Sequence, residues 1–352
     1  MNILVFGAGA VGSFVGGHLA ASGHGVTLLG RPPSMQKIAG DGLTIFWPDR
    51  PPVTSSPKTA TSLDKLSARY DLILLTVKSP ATPTALAQLA GHRSLLDNAY
   101  IVSLQNGLGN EEQIAAAFGP AKCIAGTITI PIEMLEPGRL EVSRAKGGLG
   151  LAPLDPSQPV KLLASALNQA GLRTLIYADY QAMKWSKLLL NIVNNATSAI
   201  LDQPPAHIIA HDGLFNLEIG ALQEGVKVMK ARGIQAVELP GYRVNWLARL
   251  VTAWWLPLAA KRAILRPFMQ SGRGTKMPSL HLDLASGRST SEIRALNGAI
   301  VQAGQQIGIA TPINQTLTTL LTDLVSGKEK RNEYRNQPQK LISAVQHRKS
   351  IR

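Results

Sequence analysis

Cysteine is almost missing from this chain. Cys123 stands alone among 352 residues, so no intramolecular disulfide can form and no Cys-x-x-Cys zinc spacing exists. A reducing, cytosolic setting suits so little thiol. Charged residues make up 16% and aromatics 5%, against 45% apolar, which excludes a disordered chain or a long coiled coil. No membrane-spanning helix is expected, since a span needs about 20 predominantly apolar residues. The nearest candidate, Trp246 to Ala260, is interrupted by Arg249. Met1-Asn2-Ile3-Leu4-Val5-Phe6 runs straight into Gly7, without the basic and apolar regions of a leader peptide. A soluble, cytoplasmic protein is expected, with no spanning membrane segment. Acidic residues are also scarce, 22 against 36 Lys and Arg, for a net charge of +14. That excess suggests an anionic partner: a nucleic acid, a membrane surface or a small molecule. No helix-turn-helix, RNA-binding signature or zinc finger is present, so no nucleic-acid partner is expected.

What is present reads as two domains. Ile3–Phe6, Val26–Leu29, Gly42–Trp47, the segment around Val53, Leu72–Val77 and Ile101–Leu104 read as strands. Helical patterns fall at Val11–Ser22, Thr84–Ala90, Glu111–Phe118 and Val160–Ala170, with a last short strand at Arg173–Tyr177. Strands alternating with helices predict a doubly wound parallel sheet. Beyond Asp179 strand signals fade, and helices are expected near 180–200, 213–232, 243–269, 289–308 and 313–326. The fold class is therefore a Rossmann-type α/β N-terminal domain, residues 1–177, followed by an all-α C-terminal domain, residues 178–352. The tail after Lys328 is polar and basic, with an end expected to fray.

Gly7-Ala8-Gly9-Ala10-Val11-Gly12 follows a strand and opens a helix, the context that a G-x-G-x-x-G dinucleotide loop requires. Gly7 permits the turn, Gly9 the approach of a pyrophosphate and Gly12 close helix–strand packing. The helix N-terminus offers N–H groups and a partial positive charge to phosphates. The second strand ends at Gly30-Arg31; an acid here suits NAD, whereas Arg suits the 2′-phosphate of NADP. Arg31 is otherwise an ordinary surface residue. Lys78 is either a contact to the adenosine phosphate or a solvated loop lysine. No metal-ligand spacing is found. Lys187, Asn191 and Asn195 are spaced i, i+4, i+8 among Leu188, Leu189, Ile192 and Val193, which predicts one polar face on one helix. That stripe either lines a cleft needing a proton donor and two amides, or faces solvent between domains.

Several ordered motifs resemble the ketopantoate reductase (2-dehydropantoate 2-reductase) family. They are the Gly7–Gly12 loop with Arg31, Thr76-Val77-Lys78, Gln105-Asn106-Gly107-Leu108-Gly109, Trp185–Asn195, Pro278–Leu284 and Gly287–Ile293 with Leu296-Asn297-Gly298. The resemblance covers roughly residues 1–326. It implies NADPH as cofactor and a small 2-oxo acid as substrate. It implies Lys187 as general acid, and Asn106 as the residue orienting substrate and nicotinamide. Asn191 and Asn195 would be contacts to substrate oxygens, Ser279 to its carboxylate, and Glu292 an anchor for Lys187 and the substrate hydroxyl end. Bland readings stand beside these: Asn106 as a turn residue, Ser279 as a helix cap, and Glu292 as half of a capping box with Ser289.

The chain departs from the family pattern in three places. Ser291 is inserted before Glu292, and Ser79-Pro80-Ala81 follows Lys78 where many members carry a glutamine contact. The C-terminal domain is lengthened by residues 235–276, which hold three of the five tryptophans. This insertion is expected to pack within the molecule or to form a dimer interface; a membrane surface is the lesser alternative. A monomer or homodimer is expected. Residues 227–276 carry ten Lys and Arg against one acid, and residues 328–352 eight against two, so the charge excess lies outside the recognised motifs. The expected activity is NADPH-dependent reduction of 2-dehydropantoate to pantoate, for pantothenate and coenzyme A synthesis. The alternatives are reduction of another branched 2-oxo acid, or a non-catalytic NADP-binding sensor.

Overall fold

The computed structural model describes residues 1–273 and 276–350. The chain divides into two compact units, Met1–Lys184 with Glu238–Tyr242, and Trp185–Val237 with Arg243–Arg352. The division falls inside a helix, later than the expected boundary at 177/178. The change in composition near 178 marks where that helix starts, whereas its contacts change sides further along.

In the first unit the order is β1 (Asn2–Phe6), α1 (Ala10–Ala21), β2 (Gly25–Leu29), α2 (Pro32–Asp41), β3 (Leu43–Phe46), β4 (Val53–Ser55), β5 (Lys58–Ala60), β6 (Leu72–Leu75), α3 (Thr82–Gly91), β7 (Tyr100–Ser103) and α4 (Asn110–Phe118). It continues with β8 (Cys123–Ile128), β9 (Ile132–Glu136), β10 (Arg139–Val142), β11 (Leu149–Pro153), α5 (Val160–Gln169), β12 (Thr174–Ile176) and α6 (Tyr180–Ile192), which runs on into the second unit.

Eight strands form one sheet in the order β12-β11-β8-β7-β6-β1-β2-β5. Its pairings are parallel except β11 with β8. β1 lies inside it, register Ile3↔Val26 on one side and Ile3↔Leu72 on the other. Ile3, Leu4 and Val5 are fully buried, which is why β1 and β6 are continuous apolar runs rather than alternating ones. A smaller sheet, β4-β3-β10-β9, lies apart. Helix α1 packs on strands of both sheets. A Cβ on Gly16 would press on Leu28 and Val5 of the large sheet, and one on Gly17 on Leu43 and Ile45 of the small one. A helix walled on two sides has no polar face to show, so α1 is mostly small and apolar, and its Ser13 and His18 are buried. Strands β8 to β11 had no counterpart in the sequence reading. Their runs are short, and Gly126 and Gly150 interrupt the patterns of β8 and β11.

The second unit is helical: α7 (Asn195–Leu201), α8 (Pro205–Ala210), α9 (Asp212–Ala231), α10 (Val244–Thr252), α11 (Leu258–Arg273), α12 (Ser279–Ala285), α13 (Asn297–Gln306), α14 (Pro312–Ser326) and α15 (Pro338–Ser350). Three expected helices are corrected. The 180–200 helix breaks at Val193-Asn194, where Asn194 takes φ +58°. The 243–269 helix breaks at Ala253–Pro257, ahead of Pro257, and 289–308 divides into a 3₁₀ turn, Glu292–Arg294, and α13. The basic tail folds back as α15 against α9 and α14, burying Leu341 and Val345. Its last two residues, where fraying was expected, lie outside the described residues.

His18 on α1 is 2% exposed. The Trp47 indole N–H donates to its Nε2 (3.3 Å), so Nδ1 carries the hydrogen and donates to the Ala170 carbonyl (3.0 Å). Burial pushes this imidazole down to about 4, the Ala170 carbonyl opposes the shift, and Arg50 adds to it. The unfolded chain therefore binds a proton that the folded one refuses between pH 6.5 and about 4. Stability is full above pH 6.5 and falls on acidification through that window, by up to about 3 kcal/mol. Urea midpoints measured across this range should slope downward toward acid, and His18→Gln should flatten that part of the curve.

Candidate active site

The candidate cofactor residues all sit at the carboxyl edge of adjacent parallel strands. The glycine loop follows β1, Arg31 follows β2, Lys78 follows β6 and Asn106 follows β7, and these strands neighbour one another as β7-β6-β1-β2. Ligands of open α/β sheets bind outside this edge. Gly7 has φ +113°, and a Cβ there would lie 2.7 Å from the Val77 nitrogen, so only glycine fits. A Cβ on Gly12 would strike the Gly7 carbonyl and Thr76. Thr76 Oγ1 donates to that same carbonyl (2.7 Å), and the Gly7 and Ala8 N–H groups donate to Leu29 O (3.1 Å each). Gly9 differs: it is exposed, and a Cβ there would meet nothing within 4 Å. No side chain caps α1. The first turn thus presents open backbone where Ala10 and Val11 begin the helix, a cradle that fits a pyrophosphate. Arg31 is exposed and precedes α2, whose first turn holds no acid. Lys78 is exposed and Asn106 half-buried.

Two charged residues absent from the expected site organise this edge. Lys184 on α6 and Glu111 on α4 are 3% and 1% exposed and pair at 2.8 Å. The Lys184 ammonium also donates to the Gln105 carbonyl (2.7 Å) and the Gly126 carbonyl (3.3 Å). The Gln105 amide donates in turn to Val77 O (2.9 Å) and Thr82 Oγ1 (2.7 Å). Ser79 Oγ donates to Asn106 O (2.8 Å), and Asn110 Nδ2 donates to Ser79 Oγ and Asn106 O (3.2 Å each). The loops carrying Lys78 and Asn106 are thereby tied to each other. The signal for Lys184 was a lysine flanked by Ala182, Met183 and Trp185, a setting that only a buried partner tolerates.

In the second unit the break after α6 changes the expected geometry. Lys187 and Asn191 share α6, but Asn195 opens α7, so the three do not line one continuous helix. Glu218 on α9, 2% exposed, explains the break. It accepts from the Asn194 N–H (2.7 Å) and from Thr197 Oγ1 (2.5 Å), placing a carboxylate at the N-terminus of α7, where the helix dipole favours it. Asn195 then faces α12. Its Oδ1 accepts from the Leu280 N–H (3.1 Å), and its Nδ2 donates to Asn191 O (3.1 Å) and Ser279 Oγ (3.4 Å). Asn191, Asn195 and Ser279 are thus brought together. Lys187 is half-buried one turn before Asn191. Ser279 is the first residue of α12 and not its cap, which is Pro278. Glu292 is 6% exposed in its 3₁₀ turn. The Ser289 capping box is not formed: Ser291, the inserted residue, caps the turn by accepting from the Ile293 N–H (3.2 Å).

Cys123 is buried, and burial, with Glu111 adding to it and Lys184 opposing, pushes its thiol up, so it offers no thiolate nucleophile. Among the described residues no cluster of His, Cys, Asp and Glu suits a metal ion, and no helix is long and apolar enough to cross a membrane.

A glycine-loop α/β unit followed by a helical unit that gathers lysine, amide and hydroxyl groups defines a nicotinamide-dependent oxidoreductase acting on a CH–OH group. The chain belongs to the ketopantoate reductase family: the model "Ketopantoate reductase PanE/ApbA" matches residues 3–156, and its C-terminal counterpart matches residues 179–325. The 2-dehydropantoate 2-reductase of Pyrococcus horikoshii is 30% identical over 94% of this chain and 98% of its own length. A solved PanE/ApbA family ketopantoate reductase from Ralstonia eutropha JMP134 superposes with TM-score 0.77 at 27% identity, covering 93% of this chain and 99% of that one. D-mandelate dehydrogenase, solved with NADH and anilino(oxo)acetate, shares the fold at TM-score 0.76 and 23% identity, over 93% of this chain and 99% of its own.

Removing one partner of the buried pair leaves the other charge unpaired, a cost of about 3–5 kcal/mol. Lys184→Met should show that loss in chemical denaturation. Adding Glu111→Leu should recover a large part of it, because the orphaned carboxylate is gone.

Proposed function

We propose that the chain reduces the C2 carbonyl of 2-dehydropantoate to pantoate with NADPH, in the cytoplasm, as a step toward pantothenate and coenzyme A. The observation that most supports this is the cluster of Asn191, Asn195 and Ser279 beside the α6–α7 break, one turn beyond Lys187. Such a set suits a polar 2-oxo acid bearing a hydroxyl. The exposed Arg31, with no acid in the turn after it, supports NADPH over NADH through the 2′-phosphate.

When bound, the nicotinamide supplies a hydride to the carbonyl carbon. Gly7, Ala8, Gly9, Ala10, Val11 and Gly12 hold the pyrophosphate, with Arg31 and Lys78 toward the adenosine phosphate. The Lys187 ammonium hydrogen-bonds the carbonyl oxygen, stabilises the negative charge that grows there and gives the proton that completes the alcohol. Ser279 accepts from Asn195, so its hydroxyl hydrogen is left to donate to the substrate carboxylate. Asn191 and Asn195 bond the hydroxyl and oxygen atoms of the substrate. Asn106 orients substrate and nicotinamide, and Glu292 anchors Lys187 and the substrate hydroxyl.

NADPH oxidation assayed with 2-dehydropantoate and a panel of branched and aryl 2-oxo acids tests the substrate. 2-Dehydropantoate should give the highest kcat/KM; a better substrate elsewhere in the panel sinks the assignment in favour of a related 2-oxo acid reductase. Lys187→Ala should lower kcat by about 10²–10⁴-fold, the usual worth of a positioned proton donor, with NADPH still bound in fluorescence titration. Unchanged turnover removes Lys187 from its role. Arg31→Ala should raise the KM for NADPH and leave that for NADH nearly untouched.

A further inference from the structure

In the second unit, helix α11 buries Leu265 and Met269 but keeps a second apolar strip outside. Three of its cations are engaged within the unit: Lys261 is 5% exposed and donates to Val251 O (3.0 Å), while the partly exposed Arg262 and Arg266 both bind the carboxylate of Asp212. Its exposed face carries Ala259, Ala263, Ile264 and Pro267. The loop ahead of it continues the apolar surface, with Trp254 92% and Trp255 68% exposed, followed by Leu258 at 40%. Adjacent tryptophans held out into water mark an interaction surface rather than a scattered exposed residue.

Charge says which partner fits. Arg243 and Arg249 are exposed on and beside α10, and Lys230 reaches Thr252 at its end (3.4 Å). No Asp or Glu occurs from residue 239 to 282. A two-fold contact with a second copy would set the same patch against itself, opposing these cations to their own duplicates, while the nearby Asp212 carboxylate is already taken by Arg262 and Arg266. An anionic bilayer answers both features: indoles settle at the headgroup level, apolar side chains enter the acyl boundary, and Lys and Arg meet lipid phosphates.

We propose that the surface from Trp254 to Ile264, with the exposed cations Arg249 and Lys230 near its start and Arg243 at the head of α10, binds peripherally to anionic phospholipid bilayers. The full-length protein is to be sedimented with vesicles of phosphatidylcholine plus phosphatidylglycerol, and with vesicles of phosphatidylcholine alone, with tryptophan fluorescence read in parallel. The expected result is cosedimentation and a blue-shifted emission with the anionic vesicles, weakened about tenfold or more on pure phosphatidylcholine or in high salt. Trp254→Ser with Trp255→Ser should abolish the blue shift and most of the binding, with thermal melting and solution activity unchanged. Arg243→Glu with Arg249→Glu should remove the binding while keeping both indoles. Absence of binding to anionic vesicles at low salt overturns the proposal, as does equal binding by either double variant. Light scattering supplies the remaining arm: a wild-type dimer that becomes monomeric in the tryptophan variant would show that a second copy covers this face, and would also overturn it.

Discussion

An ammonium ion held at 3% exposure must be surrounded by acceptors, because its hydration shell is gone. Lys184 meets that demand with one carboxylate and two backbone carbonyls, and each acceptor belongs to a different element. Glu111 fixes the start of α4, Gln105 the end of β7, and Gly126 the interior of β8. Satisfying a single charge therefore sets the relation of three elements at the carboxyl edge of the sheet. The Gln105 side chain passes the constraint on to the segment after β6, through Val77 and Thr82. The loops that carry Lys78 and Asn106 inherit their positions from this network, whereas the glycine loop is placed by steric closeness to Thr76 and Val77.

The helical unit uses a different device for the same purpose. Glu218 fixes Asn194 and Thr197, which ends one helix and starts another. Once α7 points elsewhere, Asn195 reaches the first turn of α12 and holds Ser279 beside Asn191. Asp202, at the far end of α7, hydrogen-bonds His281 (2.5 Å) and accepts from Arg331 (3.0 Å), and it forms an ion pair with Arg335 (3.0 Å). The opposite end of the same short helix is thus bound to both α12 and the basic tail. Charges that looked like an appendage in the sequence are partly consumed in fixing the helices that carry the polar cluster.

Much of this was legible beforehand where one residue type has one physical use. Gly7, Gly9 and Gly12 declared a strand–turn–helix by spacing, and Arg31 at the end of β2 was visible because no acid stands there. The family motifs covered both units in order. Strands β8 to β11 were not legible, because glycines and charges break their short runs and, apart from the local β9–β10 hairpin, their pairing is supplied by distant partners. The break at Asn194 was not legible either, since an i, i+4, i+8 pattern is satisfied locally by one straight helix. Glu218, which overrules it, is remote in sequence. The capping box failed for a related reason: Ser289 and Ser291 are equally good caps on paper, and the turn geometry selects one.

The overall charge shows where the two kinds of information part. Composition alone placed the excess of Lys and Arg in residues 227–276 and 328–352, and alternating patterns alone assigned an α/β unit followed by helices. Local periodicity and residue chemistry suffice for such statements because they depend on neighbours within a few positions. Which charges are spent was decided only in three dimensions. Arg262 and Arg266 share Asp212, Arg331 and Arg335 share Asp202, and Lys184 pairs with Glu111, while Arg243 and Arg249 stay at the surface. Each of those pairings joins residues far apart in the chain, and burial, which makes pairing obligatory, is a property of the packed structure.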